Sequence, residues 1–143
     1  MKIRVLTVIV SLVAMILIFT IACTEQAGKT PATGGISYNF DVRPILSDKC
    51  FKCHGPDAKQ RKAKLRLDLA DSAFAPLKET KGAFAFVPGK PEQSEVYKRI
   101  TSDDPTYQMP DPASHLGMLS EREIALVKKW IEQGAKYEKH WAF

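Results

Sequence analysis

Apolar and polar positions divide the chain into three stretches. From Val5 to Ala22 no charged residue interrupts an apolar run, and Lys2 and Arg4 stand just before it. From Thr24 to Ser37 large apolar side chains almost vanish. From Tyr38 onward apolar residues recur at helical spacing in three places. Val42, Ile45 and Leu46 mark a helix over Asp41–Lys49, with Asn39 as its cap and Pro44 in the tolerated first turn. Val96 and Ile100 share the face of a second helix that begins at Ser94. Ile124, Val127, Trp130 and Ile131 form the stripe of a third and strongest helix, with Ser120 and Glu123 as its capping box and Gly134 as its stop. Between residues 55 and 90 little reads as regular structure apart from the alternation Leu65-Arg66-Leu67-Asp68-Leu69. The pattern predicts a mainly α fold of short helices joined by long irregular loops. Such helices do not close a bundle on their own, so something else must fill their centre.

The first stretch reads as an export signal, with a charged start and an apolar middle. Its 18 residues also suffice for a thin membrane span, so an uncleaved anchor is the alternative. Thr20-Ile21-Ala22-Cys23 resembles the lipobox of bacterial lipoproteins, with Thr20 where leucine is usual, which predicts a lipid on Cys23. The expected organisation is a signal peptide over 1–22, a flexible tether over 23–37 and one domain over 38–143. A Gly-containing tether of this length gives the domain a reach of roughly 20 Å over a membrane surface. The domain is expected outside the cytoplasm, membrane-anchored on the periplasmic or cell-surface side of a bacterial membrane.

The chain has 143 residues and a formal charge of +5, of which Lys2 and Arg4 contribute two. The balance does not form the concentrated basic footprint of a nucleic-acid binder, and none is expected as a partner. Three cysteines are an odd number for an exported chain. The count resolves if Cys23 carries lipid and the other two carry a prosthetic group.

Those two lie in Cys50-Phe51-Lys52-Cys53-His54, the C-x-x-C-H signature of covalent haem attachment. Cys50 and Cys53 would add to the haem vinyl groups, and His54 would ligate the iron. A zinc site built from Cys50, Cys53, His115 and His140 is one alternative, but it leaves His54 unused. A redox dithiol is another, but no βαβ pattern precedes Cys50. For a sixth iron ligand the mature chain offers Met109, Met118, His115 and His140. Met109 is best placed, because Pro105, Pro110 and Pro112 stiffen its loop and lower the ordering cost of ligation. His/Met ligation raises the reduction potential and closes the iron to substrates. The run Lys59–Arg66 holds five basic residues in eight and could steer acidic redox partners, a donor and an acceptor, toward the haem edge.

The domain resembles the planctomycete-type cytochrome c domain. The likeness rests on Phe40–Leu46, Cys50–Lys62, Val87–Pro91, Arg99–Asp104, Met109-Pro110 and His140-Trp141-Ala142-Phe143. It implies a small class I cytochrome c-like fold around one haem c, with Cys50 and Cys53 on the haem and His54 and Met109 on the iron. Asp111 stands where the family often has a further proline, and in the family His-Trp-Ala-Phe leads into further domains. The expected function is single-electron transfer rather than catalysis. Its rivals are an open-site, peroxidase-like haem enzyme or sensor, and an interaction domain stabilised by zinc or haem.

Overall fold

The computed structural model describes residues 35–139. A π-helical turn, Tyr38–Val42, runs directly into helix α1, Arg43–Lys49, and a single further turn, α2, Phe51–His54, carries the two cysteines and the histidine. Three more helices follow: α3, Ala70–Phe74; α4, Glu95–Ile100; and α5, Glu121–Glu132. Short 3-10 turns at Pro91–Gln93 and Pro112–Ser114 precede α4 and α5. Extended pairing among the described residues is limited to isolated bridges, Pro76 with Phe84 and Phe84 with Ser94. The domain is mainly helical, with short helices and long loops, as the pattern predicts.

Helix α5 follows its local signals closely. The Ser120 hydroxyl accepts from the Glu123 N–H and the Glu123 carboxylate accepts from the Ser120 N–H, a complete capping box. At the other end Gly134 adopts φ +100, Gly134 N–H reaches the Ile131 carbonyl and Ala135 N–H reaches that of Trp130. This pair of bonds is the Schellman arrangement, and the left-handed residue it needs is glycine.

The first helix begins earlier than its apolar spacing suggests, at Tyr38 rather than Asp41, and its cap is Ser37 rather than Asn39. The donors at its start have better partners one turn upstream. The Ser37 hydroxyl accepts from Phe40 N–H, and the Glu138 carboxylate accepts from Tyr38 N–H at 3.0 Å and Asn39 N–H at 3.3 Å. Asn39 instead donates its side-chain amide to the Lys139 carbonyl. Helix α3 has no counterpart in the sequence reading, because a single turn containing Asp71 and Ser72 carries no apolar period to detect. The Leu65–Leu69 alternation does not become a strand. Leu67 is buried and donates its N–H to the His54 carbonyl, while Leu69 is exposed.

The densest part of the core is aromatic. Trp130 and Phe86 meet edge to face with centroids 5.1 Å apart, and Tyr137 lies 4.5 Å from Tyr38 and 5.4 Å from Trp130. Phe74 completes the cluster against Tyr137. Two of the polar tips are satisfied: Trp130 Nε1 donates to the Lys136 carbonyl and the Tyr137 hydroxyl to that of Leu67. Val42, Leu46, Val127 and Ile131 pack around these rings.

Candidate functional site

Beside this core lies a cavity of about 850 Å³, within the range of small-molecule and cofactor sites. Cys50, Cys53 and His54 line it from α2, and Met109 and Pro110 line it from the loop after α4. Leu65, Leu67, Leu77, Val96 and Ile100 supply the apolar wall.

Helix geometry and loop bonding hold the first group. Cys50 has φ −125, which ends α1 and starts a separate turn whose first bond runs from His54 N–H to the Cys50 carbonyl at 2.7 Å. The following loop folds back under this turn. Lys62 N–H donates to the Cys53 carbonyl at 2.7 Å, and the Arg61 guanidinium donates to the carbonyls of Gly55 and Pro56. Orphan carbonyls at the end of the turn are thereby satisfied. Gly55 is required for this return, because a Cβ there would stand 2.2 Å from the Phe51 carbonyl oxygen.

Both cysteines are free. Burial, with Cys53 close by, pushes the Cys50 thiol up to about 12. A reactive redox dithiol needs the opposite shift. Burial also holds the His54 imidazole below its ordinary range, against a smaller opposing influence from the Lys62 backbone. Its Nδ1 is buried and meets no hydrogen-bond partner among the described residues. Among those residues no three His, Cys, Asp or Glu side chains converge as a metal-ion site.

The second group is held by its loop. Met109 N–H donates to the Arg99 carbonyl at 3.0 Å, and the Met109–Pro110 peptide is cis. Asp111, where a further proline was the family expectation, caps the next turn by accepting from Ala113 N–H at 2.9 Å. Lys49, next to Cys50, donates to the Leu116 carbonyl at 3.0 Å and so ties this loop to the attachment helix. Of the other candidate donors, His115 lines the cavity but is exposed with φ +58, Met118 lies on the surface away from the cavity, and His140 is outside the described residues.

The basic run divides. Arg61 is committed to the Gly55 and Pro56 carbonyls and Arg66 is paired with Asp68, while Lys59, Lys62 and Lys64 are exposed. Lys62 also lines the cavity, as do Lys49, Lys52 and Lys78. Sequence reasoning found neither Gly55 nor Arg61 as supports of the attachment turn. A glycine directly after C-x-x-C-H was the available signal for the first.

Two thiols and an imidazole on one helical turn, facing an apolar cavity with a thioether on its other wall, fit a covalently held haem. Fold and site together describe a small, mainly helical domain whose cavity suits a covalently attached haem. Residues 50–113 match the family model Planctomycete cytochrome C, so this segment is similar to that family. The matched segment contains both the attachment motif and Met109-Pro110. No curated protein and no solved structure matches the chain. The apolar stretch Val5–Ala22 and Cys23 lie outside the described residues, and among the described residues no helix is long and apolar enough to cross a membrane.

Proposed function

We propose that this domain is a single-electron carrier in which Cys50 and Cys53 hold one haem c and His54 and Met109 ligate its iron. The observation that carries this reading is the shared cavity: the attachment turn and Met109 line it from separate segments of chain. The bound haem would supply one-electron chemistry at iron. The chain's own part is to fix two axial donors, exclude water with the leucine, valine and isoleucine wall, and leave little to reorganise between oxidation states. His115 is a weaker sixth ligand, since it is exposed and follows the capped turn at Pro112–Ser114.

Absorption spectra of oxidised and reduced protein, made in a host that matures c-type cytochromes, test this directly. Expected are covalent low-spin haem and a ferric methionine-to-iron charge-transfer band, both sensitive to Met109→Ala. A resting high-spin iron that binds cyanide readily would overturn the carrier reading in favour of a catalytic or sensing haem.

The reading extends to place and partner. Export through residues 1–22, a lipid on Cys23 and a tether to residue 37 would hold the carrier at the outer face of a bacterial membrane. Lys59, Lys62 and Lys64 would steer acidic donors and acceptors toward the cavity mouth. Neutralising Lys62 and Lys64 together should slow electron transfer at low salt and flatten its salt dependence. An unchanged rate would remove these lysines from docking.

A further inference from the structure

Glu95 is a carboxylate only 6% exposed, in the first turn of α4. One of its oxygens, Oε1, accepts from Arg99 Nε at 2.9 Å and from the Tyr107 hydroxyl at 2.9 Å. The Arg99 guanidinium lies 4.3 Å from the centre of the Tyr107 ring and also reaches the Tyr107 carbonyl at 3.4 Å. Two residues further on, Met109 N–H donates to the carbonyl of the same Arg99. The loop between them is already stiff, because Asp104 accepts at its side chain from Thr106 and at its carbonyl from Tyr107 and Gln108. A buried charge pair is stable only while its remaining hydrogen-bonding capacity is met. Tyr107 meets it here, and so couples the ion pair on α4 to the loop that ends at Met109.

We propose that Glu95, Arg99 and Tyr107 form a positioning device that holds the Met109 thioether against the iron; this rests on Met109 being the sixth ligand. A neutral thioether is a weak donor, so its occupancy depends on how seldom the loop opens. A competing ligand binds only the open form, and its apparent dissociation constant falls in proportion as that form becomes more populated. A hydrogen bond to a charged group is worth enough that its loss should raise the open population about tenfold.

Imidazole titration of the ferric holoprotein measures this opening, with the charge-transfer band as a second readout. Tyr107→Phe keeps the ring over Arg99 and deletes only the hydroxyl. It should tighten imidazole binding by about tenfold and weaken the band, and Glu95→Gln should act in the same direction. Lys98→Ala, on the same helix but exposed, should change neither. Met109→Ala should abolish the band, and adding Tyr107→Phe to it should tighten imidazole binding no further. If Met109→Ala leaves the band and imidazole affinity untouched, Met109 is not the ligand and both readings fall. If Met109→Ala acts as expected but Tyr107→Phe matches the unmutated protein, ligation stands and the positioning device is overturned. An equal effect of Tyr107→Phe with and without Met109 also overturns it, since that marks general loosening of the cavity. Should Glu95→Gln fail to fold, the Tyr107→Phe comparison alone decides.

Discussion

The domain has two halves built on opposite plans. Around Trp130 the chain fills its own space: Phe86 and Trp130 are each 1% exposed, five aromatic rings interlock, and the polar tips of Trp130 and Tyr137 are bonded. Around Met109 the chain shapes a cavity of about 850 Å³ and lines it with Leu65, Leu67, Leu77, Val96 and Ile100, which also pack on the core. Interiors are normally packed to crystal density, so a side chain that faces a cavity makes fewer dispersion contacts on that side than on its core side. The contrast teaches that the aromatic residues serve folding alone, while Leu67 and Ile100 serve both the core and the cavity wall. A small domain can keep a cavity of this size because its walls are anchored in a core closed by the aromatic cluster.

The sharpest way to break the comparison is Trp130→Ala. This change should cost about 3–5 kcal/mol, with or without haem, because Trp130 does not line the cavity. Denaturant unfolding of both forms checks it. A loss that appears only without haem would mean that the aromatic half does not fold independently of the cavity.

Next in size is Gly55→Ala, which acts at the seam between the halves. The added Cβ would meet the Phe51 backbone at 2.2 Å, so the attachment turn itself must shift. Backbone displacement of this kind costs about 1–3 kcal/mol. It should also lower the yield of covalently loaded protein, measured as haem per chain. Full haem content at unchanged stability would show that the turn adapts freely.

What could be read from the sequence follows the same division between local and distant contacts. Cys50, Cys53 and His54 fall within one five-residue motif, and α5 carries its capping box, stripe and stop within one short segment, so the motif and the helix were legible. Met109 was singled out by neighbouring prolines, and it lines the cavity. Glu138 capping Tyr38 across 100 residues was not legible, and the helix start was misjudged for that reason. The Glu95-Arg99-Tyr107 network and the Arg61 clamp were also invisible, because periodicity reports which face a residue occupies and not which carbonyl it reaches. Arg61 illustrates the cost of that blindness: a residue read as part of a partner-steering basic run is bound to backbone.

A smaller effect sharpens the hollow half. Leu65→Ala truncates a cavity wall that already lacks neighbours on one side, so in haem-free protein it should cost roughly 1 kcal/mol or less. With haem bound the same side chain gains a partner, and the cost should rise toward about 2 kcal/mol, the low end of the range for buried leucine. Unfolding of haem-free protein, obtained with Cys50→Ala and Cys53→Ala, against loaded protein gives the difference. Equal costs in the two forms would mean that the cofactor adds no packing at Leu65 beyond its contact with the core.

The smallest expected effect belongs to the closed half and carries a pH signature. Burial pushes the Glu138 carboxyl up, but hydrogen bonds from Tyr38 N–H, the Ser37 hydroxyl and Asn39 outweigh it and hold the group below its ordinary 4.5. Those bonds cap the helix that leads to Cys50, and the negative charge also suits a helix N-terminus. A carboxyl depressed in the folded state stabilises most above its unfolded pKa, and the contribution is lost as pH falls through the folded value. Glu138→Gln should therefore cost about 0.5–1 kcal/mol at neutral pH, the lower part of the range for a lost cap because the group is exposed. The difference from the unmutated protein should shrink as pH drops below 4.5 and vanish once Glu138 is protonated in both states. Haem spectra should not change at any pH in this series, since Glu138 does not line the cavity. A spectral shift that tracked the stability loss would show that the cap reaches the iron through α1, and the two halves would then be coupled through the helix they share.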